Sequence, residues 1–211
     1  MAKEGRKEML FVITGPSGCG KSTLARRVLA EVEGLEFSVS YTTRKKRNLE
    51  EEGKDYYFVS KEEFEELIKA ERFAEWAVVH GHYYGTSKRE IEKKGANKDL
   101  LLDIDVQGAQ QLKEKFKKAV FIFILPPQYR ELKARLEKRG DEPPESIRKR
   151  LEAAKKEIRH YPHFDYIVIN DKLERAAKEL SAIIMSTRCR LDARKKEIMP
   201  IIRSFTMHEG D

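Results

Sequence analysis

The stretch GPSGCGKST, from Gly15 to Thr23, decides the fold that we expect for this chain. It follows the apolar run MLFVIT and precedes LARRVL, and it matches the phosphate-loop pattern G-x-x-x-x-G-K-[ST] at Gly15, Gly20, Lys21 and Ser22. A buried strand, a glycine-rich turn and a helix in this order let backbone N–H groups surround phosphate oxygens at a helix N-terminus. The stretch therefore predicts a nucleotide-binding domain, but it does not say to what the phosphate is transferred.

The residues of this loop have different tasks in the predicted site. Lys21 should reach the β- and γ-phosphates of the bound nucleotide, and the Ser22 hydroxyl should bind the accompanying Mg²⁺. Cys19 occupies a variable position of the pattern, and we expect it to fill space rather than to react. The predicted ATP-binding residues of the loop are Gly15, Pro16, Ser17, Gly18, Cys19, Gly20, Lys21, Ser22 and Thr23.

Four nearly continuous apolar runs are typical of strands that are buried on both faces of a parallel sheet. These runs are Met9 to Thr14, Asp99 to Asp103, Ala119 to Leu125 and Tyr166 to Ile169. Helical patterns alternate with them, at Lys21 to Ala30, Val106 to Phe116 and from Leu173 onward. The alternation predicts an α/β fold of the P-loop NTPase type, with a parallel core sheet between two layers of helices.

Two segments interrupt this alternation, and we interpret them as inserts. The predicted core comprises residues 1–36, 91–126 and 164–190. Residues 37–90 contain the short strand patterns FSVSYTT, YYFVS and FAEWAVV, and a helix that Ser60 and Glu63 should begin as a capping box. This segment is the candidate acceptor-binding insert.

The second insert, residues 127–163, is helical, strongly charged and rich in arginine, which predicts a lid. The residues that should break its helix are Gly140, Pro143 and Pro144. Behind the last core segment, the tail of residues 191–211 is basic, and we expect it to be helical only until Pro200. The sequence assigns no role to this tail.

Composition limits the classes of partner. The 211 residues include 43 Lys and Arg against 36 Asp and Glu, a formal charge of +7 that suits an anionic ligand. Nucleic acid is not expected, because the arginines are dispersed and no motif of that class is visible. Cys19 and Cys189 form no zinc or disulfide pattern, and no segment has the length of a membrane span. We expect a cytoplasmic protein that does not bind membranes and is a monomer or a homodimer.

Two carboxylates end the run LLLDID. Asp103 and Asp105 are expected at the carboxyl end of a buried strand, where open α/β sheets bind ligands. Asp103 is a candidate to hold Mg²⁺ through water, together with Ser22. The alternative for Asp103 is a helix cap or a salt bridge.

The first insert contains a candidate second anion site. Arg44 and Arg47 in SVSYTTRKKR are spaced so that both can contact one phosphate, and Tyr56 and Tyr84 can add hydroxyl donors. The alternative is a solvated basic loop.

Glu75 lies beside Trp76, the chain's single tryptophan, in a strand pattern. If partly buried, its carboxylate needs donors, and it can accept two adjacent N–H groups at once. Guanine offers such an edge in N1–H and the 2-amino group, whereas adenine has an acceptor at N1. The resulting selectivity would be on the order of 10⁴.

The lid contains the arginines that are candidates to close over the triphosphate, Arg135, Arg139 and Arg150. For each of them the alternative is an ordinary position on a charged surface.

Six segments together resemble the guanylate kinases, which transfer the γ-phosphoryl group of ATP to GMP. They are, in order, GPSGCGKST, FSVSYTTRKKR, GKDYYFVS, EWAVVHGHYYGTS, LLLDIDVQGA and RLEKRGDEPPESIRKRL. The resemblance extends from about Leu10 to Leu180, and the combination of motifs is specific to that family.

The resemblance implies a role for each matching residue. It implies guanine contacts for Ser40, Glu75 and Thr86, and GMP phosphate contacts for Arg44, Arg47, Tyr56 and Tyr84. It also implies that Asp105 and Gly85 lie beside the GMP. Asn170 is implied to lie near the ATP, and Arg135 to lie close to the adenine. The catalytic residues implied are Lys21, Arg44, Arg135, Arg139 and Arg150.

Two other functions remain open at this point. Guanylate-kinase-like modules of membrane-associated scaffolds bind phosphopeptides, but they tend to lose parts of the phosphate loop, and here Lys21 and Ser22 are intact. A small P-loop kinase with another acceptor would have no use for Ser40, Glu75 and Thr86 together.

Overall fold

The computed structural model describes residues 7–92, 98–138 and 143–206. Its core is a parallel sheet of five strands in the order β2-β7-β1-β8-β9. The strands are β1 (Leu10–Thr14), β2 (Leu35–Phe37), β7 (Asp99–Asp103), β8 (Val120–Leu125) and β9 (Tyr166–Ile169). The helices against this sheet are α1 (Lys21–Glu31), α4 (Val106–Lys115) and α7 (Leu173–Arg188). All four strands expected from apolar runs are present, each within one residue of its expected start. The expected burial on both faces is wrong for the edge strand β9, in which three of the four residues are exposed.

The central strands are buried on both faces, as their apolar sequences require. Alternate residues of β1 point to opposite layers. Phe11 and Ile13 join a cluster with α1 and α7, and Val12 joins a second cluster with Leu112 of α4. The predicted three-layer α/β fold is confirmed.

A second, four-stranded sheet follows in the order β4-β3-β6-β5. Its strands are β3 (Ser40–Thr42), β4 (Tyr56–Phe58), β5 (Phe73–Val79) and β6 (His82–Ser87), and its helices are α2 (Lys61–Lys69) and α3 (Lys88–Glu92). The helix α2 begins at Ser60 with both hydrogen bonds of the predicted capping box. One assignment is corrected, because Phe37 pairs with Leu101 in the core sheet and does not belong to the insert. Residue 90, the expected end of the insert, falls within α3.

The lid consists of α5 (Tyr129–Lys138), α6 (Pro144–Glu157) and a 3₁₀ turn at Ile158–His163. Leu132, Leu136, Leu151 and Ala154 form a small core between α5 and α6. Pro143 lies at the N-cap of α6, as its place in the predicted break requires. The predicted break at Gly140 lies outside the described residues.

The tail forms α8 (Leu191–Thr206), which contacts α7. The expectation that the helix ends at Pro200 is wrong, since α8 continues through it. Proline cannot donate to the carbonyl four residues earlier. On an exposed helix, however, solvent can satisfy that carbonyl, and the helix is maintained on both sides. No helix in the described part of the chain is long and apolar enough to cross a bilayer.

Candidate active site

The phosphate loop connects β1 to α1, and its conformation depends on glycine. Gly20 is the N-cap of α1 in the left-handed region at φ 94°, and a Cβ there would lie 2.5 Å from Asn170 Nδ2. At Gly15, φ is 146° and a Cβ would lie 2.2 Å from the Ile124 carbonyl oxygen. The loop is therefore held close to the ends of two core strands, with the N-terminus of α1 directed at the adjoining cleft.

Lys21 lies in this cleft between the loop and acidic side chains. Its Nζ donates to the Gly15 carbonyl at 2.8 Å. Burial opposes its charge, but the negative charges around it, including Asp103, Glu157 and Asp105, hold its pKa above the ordinary value. Lys21 therefore places a cation at neutral pH where the sequence predicts phosphate.

The two predicted metal ligands meet at the carboxyl end of β7. Ser22 Oγ donates to Asp103 Oδ2 at 2.9 Å. Burial raises the pKa of Asp103, and Lys21 and Ser22 oppose that rise. A hydroxyl and a carboxylate are the hard oxygen donors that Mg²⁺ prefers, and Mg²⁺ typically takes few protein ligands beside water and phosphate. The donor set therefore fits Mg²⁺.

Two residues predicted near ATP support the loop from outside the cleft. Asn170 Nδ2 donates to the Cys19 carbonyl at 2.8 Å. Arg135 donates to the same carbonyl at 3.2 Å and to the Asn170 carbonyl at 2.9 Å. In this structure Arg135 and Asn170 fix the loop rather than line the cleft. The Cys19 side chain is fully buried in the core, and burial raises the pKa of its thiol, in agreement with a space-filling role.

The lid contributes Arg150 to the cleft. Arg150 is 6% exposed, and its Nη2 donates to Ser17 Oγ of the phosphate loop at 2.6 Å. The third lid arginine of the prediction, Arg139, lies outside the described residues.

The three predicted guanine contacts lie together in the second sheet. Glu75 pairs with Thr86 across β5 and β6, and Glu75 Oε1 accepts the Thr86 N–H at 2.8 Å. The hydroxyls of Ser40 and Thr86 are 3.3 Å apart. All three residues are buried. Burial raises the pKa of Glu75 to about 7, with a further contribution from the charge of Asp105, while the Thr86 hydrogen bonds and Lys115 oppose it.

Arg44 is held in place by several partners. Its Nη1 and Nη2 donate to the two carboxylate oxygens of Glu50, and its Nε donates to the Tyr84 hydroxyl at 3.1 Å. Its guanidinium also lies 5.2 Å from the centre of the Tyr56 ring. Arg47 reaches the same carboxylate, with its backbone N–H at 2.9 Å and its Nη1 at 4.0 Å. The two arginines therefore converge on one carboxylate, and their contact with a phosphate stays a prediction.

Asp105 joins the core to this site. It is the N-cap of α4, and its side chain accepts the N–H groups of Gln107 and Gly108. The predicted alternative for Asp103, a helix cap, is therefore the role of its neighbour Asp105. Both carboxylates still line the cleft.

One cavity of about 370 Å³ contains both halves of the predicted site. From the donor half it is lined by Gly15, Ser17, Gly18, Gly20, Lys21, Ser22, Thr23, Asp103 and Arg150. From the acceptor half it is lined by Ser40, Arg44, Arg47, Tyr56, Glu75, Tyr84, Gly85 and Asp105. Pro16, Cys19, Thr86, Arg135 and Asn170 are not among the lining residues.

Sequence reasoning missed three acidic residues of this cavity, Glu50, Asp55 and Glu157. Glu50 follows Arg44 by six residues in a basic loop, a spacing that indicates no contact until the loop is folded. Glu157 follows Arg150 by seven residues on a helix, which places both on one face, and this period was a usable signal. Glu157 Oε2 is buried and has no hydrogen-bond partner within the described ranges.

Comparisons with known proteins agree with this geometry. The family model for guanylate kinase matches residues 7–187. The guanylate kinase of Geobacter sulfurreducens is 49% identical over 186 residues, which cover 88% of this chain and 92% of that protein. The guanylate kinase of Clostridium tetani is 48% identical over 204 residues, covering 96% and 97%. A crystal structure of guanylate kinase from Anaplasma phagocytophilum has a TM-score of 0.74 at 33% identity and covers 90% of each chain.

The matched region contains the phosphate loop, the second sheet and the lid, so the likeness includes every element that lines the cavity. The chain belongs to the guanylate kinase family.

Proposed function

We propose that this protein transfers the γ-phosphoryl group of ATP to GMP, reversibly and with Mg²⁺, and forms ADP and GDP. The observation that carries the proposal is the shared cavity, in which Lys21 of the phosphate loop and Glu75 of the second sheet line the same space. A kinase must exclude water while it holds two anionic substrates in line, and positioning supplies most of the rate.

The donor half holds ATP. The N–H groups of the phosphate loop and the N-terminus of α1 receive the phosphates, and Lys21 contributes its charge to the β- and γ-phosphates. Ser22 and Asp103 would hold Mg²⁺, which when bound with ATP neutralises phosphate charge and orients the γ-phosphoryl group. Pro16, Cys19, Asn170 and Thr23 complete the proposed ATP site, with Asn170 acting on the Cys19 carbonyl.

The acceptor half recognises both ends of GMP. Ionised Glu75 accepts guanine N1–H and the 2-amino group, and the hydroxyls of Ser40 and Thr86 lie beside it. Adenine would place an acceptor against this carboxylate and leave a buried charge without a donor. At the other end, the GMP phosphate is bound by Arg44, Arg47, Tyr56 and Tyr84, with Gly85 and Asp105 along the wall between.

The reaction needs no covalent intermediate, because a phosphate oxygen of GMP is itself an adequate nucleophile. Arg150 lies on the lid against Ser17, from where closure brings its charge to the transferred group. We assign the same task to Arg139. Arg135 would act on the phosphate loop, through its hydrogen bonds to the Cys19 carbonyl and to the Asn170 carbonyl beside it. The division into core, acceptor insert and lid implies that both inserts close on the core.

A screen of phosphate acceptors tests the proposal. With ATP and Mg²⁺, steady-state kinetics with GMP, dGMP, AMP and dTMP should give the highest kcat/KM for GMP. Phosphorylation of AMP at the rate of GMP would overturn it. A scaffold module that binds phosphopeptides would show no turnover with any of the four. The cytoplasmic location, the lack of nucleic-acid or membrane partners and the choice between monomer and homodimer stay predictions.

A further inference from the structure

One face of α4 contacts the strand that carries Glu75. Gln111 Nε2 donates to the Trp76 carbonyl at 2.8 Å, and Gln111 Oε1 accepts the Trp76 N–H at 3.3 Å. Lys115 Nζ donates to the Ala74 carbonyl at 2.6 Å. The main chain is therefore held on both sides of Glu75 by side chains of a core helix.

A third residue of the same face limits where the Glu75 carboxylate can lie. Gly108 approaches so closely that a Cβ at this position would be 2.2 Å from Glu75 Oε2. Gly108, Gln111 and Lys115 are spaced at i, i+3 and i+7, so they form one stripe along α4. On the opposite side, β6 holds Oε1 of the same carboxylate through the Thr86 N–H.

The contact has a clear physical reason. The strand β5 lies at the end of the sheet order, so its outer edge presents unpaired backbone groups. A glutamine side chain has one carbonyl and one amide group, and it can therefore satisfy an N–H and a C=O of a strand as a neighbouring strand would. Gln111 does this at the residue next to Glu75.

The helix α4 also begins at the donor site. It follows β7, which ends with Asp103, and Asp105 is its N-cap. The element that holds the strand of Glu75 is thus continuous with the carboxylates beside Lys21 and Ser22.

We propose that Gln111 and Lys115 are positioning residues for guanine specificity: they fix the backbone around Glu75 against α4, so that its carboxylate meets both N–H groups of the guanine edge. This inference rests on the proposed function. Neither side chain contacts the base; each acts through Glu75. Lys115 adds a second effect, because its charge opposes the rise in the pKa of Glu75.

The ratio of kcat/KM for GMP to that for IMP measures this role. Hypoxanthine keeps N1–H but lacks the 2-amino group, so the ratio reports how well Glu75 meets the second donor. A general weakening of the insert would lower kcat/KM for both acceptors equally. A displaced carboxylate lowers it more for GMP.

The experiment compares Gln111→Leu and Lys115→Met with Gln110→Leu as the matched control. Gln110 is the adjacent residue on α4. Its side chain forms a hydrogen bond with His160 of the lid and not with β5. We expect the ratio to fall about tenfold in Gln111→Leu and Lys115→Met, the loss of about one aligned hydrogen bond. The change should appear in KM for GMP, while KM for ATP stays constant. Gln110→Leu should keep the ratio, and Lys115→Arg should restore it.

An unchanged ratio in both variants, or equal losses for GMP and IMP, would overturn the inference. Thermal unfolding identifies a variant that does not fold; Lys115→Met, which alters an exposed residue, then decides the result. Lack of GMP turnover in the unsubstituted protein would instead refute the proposed function. Normal GMP turnover with an unchanged ratio would refute only the role of Gln111 and Lys115.

Discussion

The carboxylate of Glu50 lies in the fork of the Arg44 guanidinium, with Oε2 at 2.9 Å from Nη1 and Oε1 at 2.8 Å from Nη2. The two side chains are only 12% and 14% exposed, so neither turns freely into solvent. Glu50 also accepts the Arg47 N–H. One carboxylate therefore fixes both arginines that we propose for the GMP phosphate.

Glu50→Ala should impair GMP binding, because Arg44 and the loop before Glu50 lose the group that orients them. We expect KM for GMP to rise about tenfold or more, with KM for ATP nearly unchanged, as for loss of a charge-assisted pair. Steady-state kinetics at varied GMP tests this, with Glu51→Ala, in the neighbouring exposed position, as control. A lower KM for GMP would mean that Glu50 competes with the phosphate instead of preparing its site.

Lys21→Ala should remove most turnover and leave the fold intact. Its Nζ donates to the Gly15 carbonyl of the phosphate loop, and loss of one such stabilising group typically costs about 10²- to 10³-fold in kcat. Measurement of kcat with saturating ATP and GMP, beside the exposed-surface variant Lys61→Ala, tests the prediction. Turnover within threefold of the unsubstituted protein would contradict it.

Lys21 and Glu50 illustrate what the sequence can and cannot predict. The tasks of Lys21 and Ser22 follow from a local motif, since a strand, a glycine turn and a helix leave the loop little conformational choice. Apolar runs predict the central strands β1 and β8, because burial on both faces demands apolar residues there. The pairing of Arg44 with Glu50 depends on how a loop without periodicity folds, and no spacing rule reports that.

The predictions for the end of β2 and for the length of α8 are wrong for a related reason. Phe37 belongs to the core sheet because it pairs with Leu101, and this pairing depends on the tertiary structure. Pro200 is a sound signal for a helix end, but here the helix continues on an exposed surface. Glu75 was recognised because an acid in an apolar strand pattern is costly unless it has donors.

GMP binding should weaken as the pH falls through about 7. Only ionised Glu75 accepts both guanine donors, and burial raises the pKa of this carboxyl to about 7 in the free protein. Below that pH the neutral acid predominates, so KM for GMP should rise while KM for ATP follows a different course. Profiles between pH 5.5 and 8.5 test the prediction. A Glu75→Gln variant should lose the pH dependence together with the preference for GMP over AMP.

The same carboxyl should cost stability at high pH. The ordinary pKa is 4.5 and the folded value is about 7, so between these values the folded state binds more protons than the unfolded state. The free energy of unfolding that Glu75 contributes therefore falls as the pH rises through this window, by at most roughly 3 kcal/mol. Glu75→Gln should raise the urea midpoint at pH 8 and leave it nearly unchanged near pH 4.5. A lower midpoint at pH 8 would contradict this.

The carboxylate of Glu157 lies against the phosphate loop. Burial raises its pKa, while the charge of Lys21 and the Ser17 N–H oppose that rise, and its Oε2 has no hydrogen-bond partner in the described part of the lid and core. Bound phosphates would bring further negative charge next to this carboxylate. Removal of its charge should therefore strengthen nucleotide binding.

We expect Glu157→Gln to lower Kd for ATP several-fold, the scale of one partly screened charge pair. The glutamine is close in size, and its carbonyl oxygen can still accept the Ser17 N–H. Calorimetric titration with ATP, with and without Mg²⁺, measures the effect; Glu152→Gln, exposed on the same helix beside Lys155, is the control. Tighter binding in both conditions supports repulsion between Glu157 and the phosphates. Weaker binding confined to the Mg²⁺ titration would contradict it, because Oε2 would then act by helping to hold the hydrated ion.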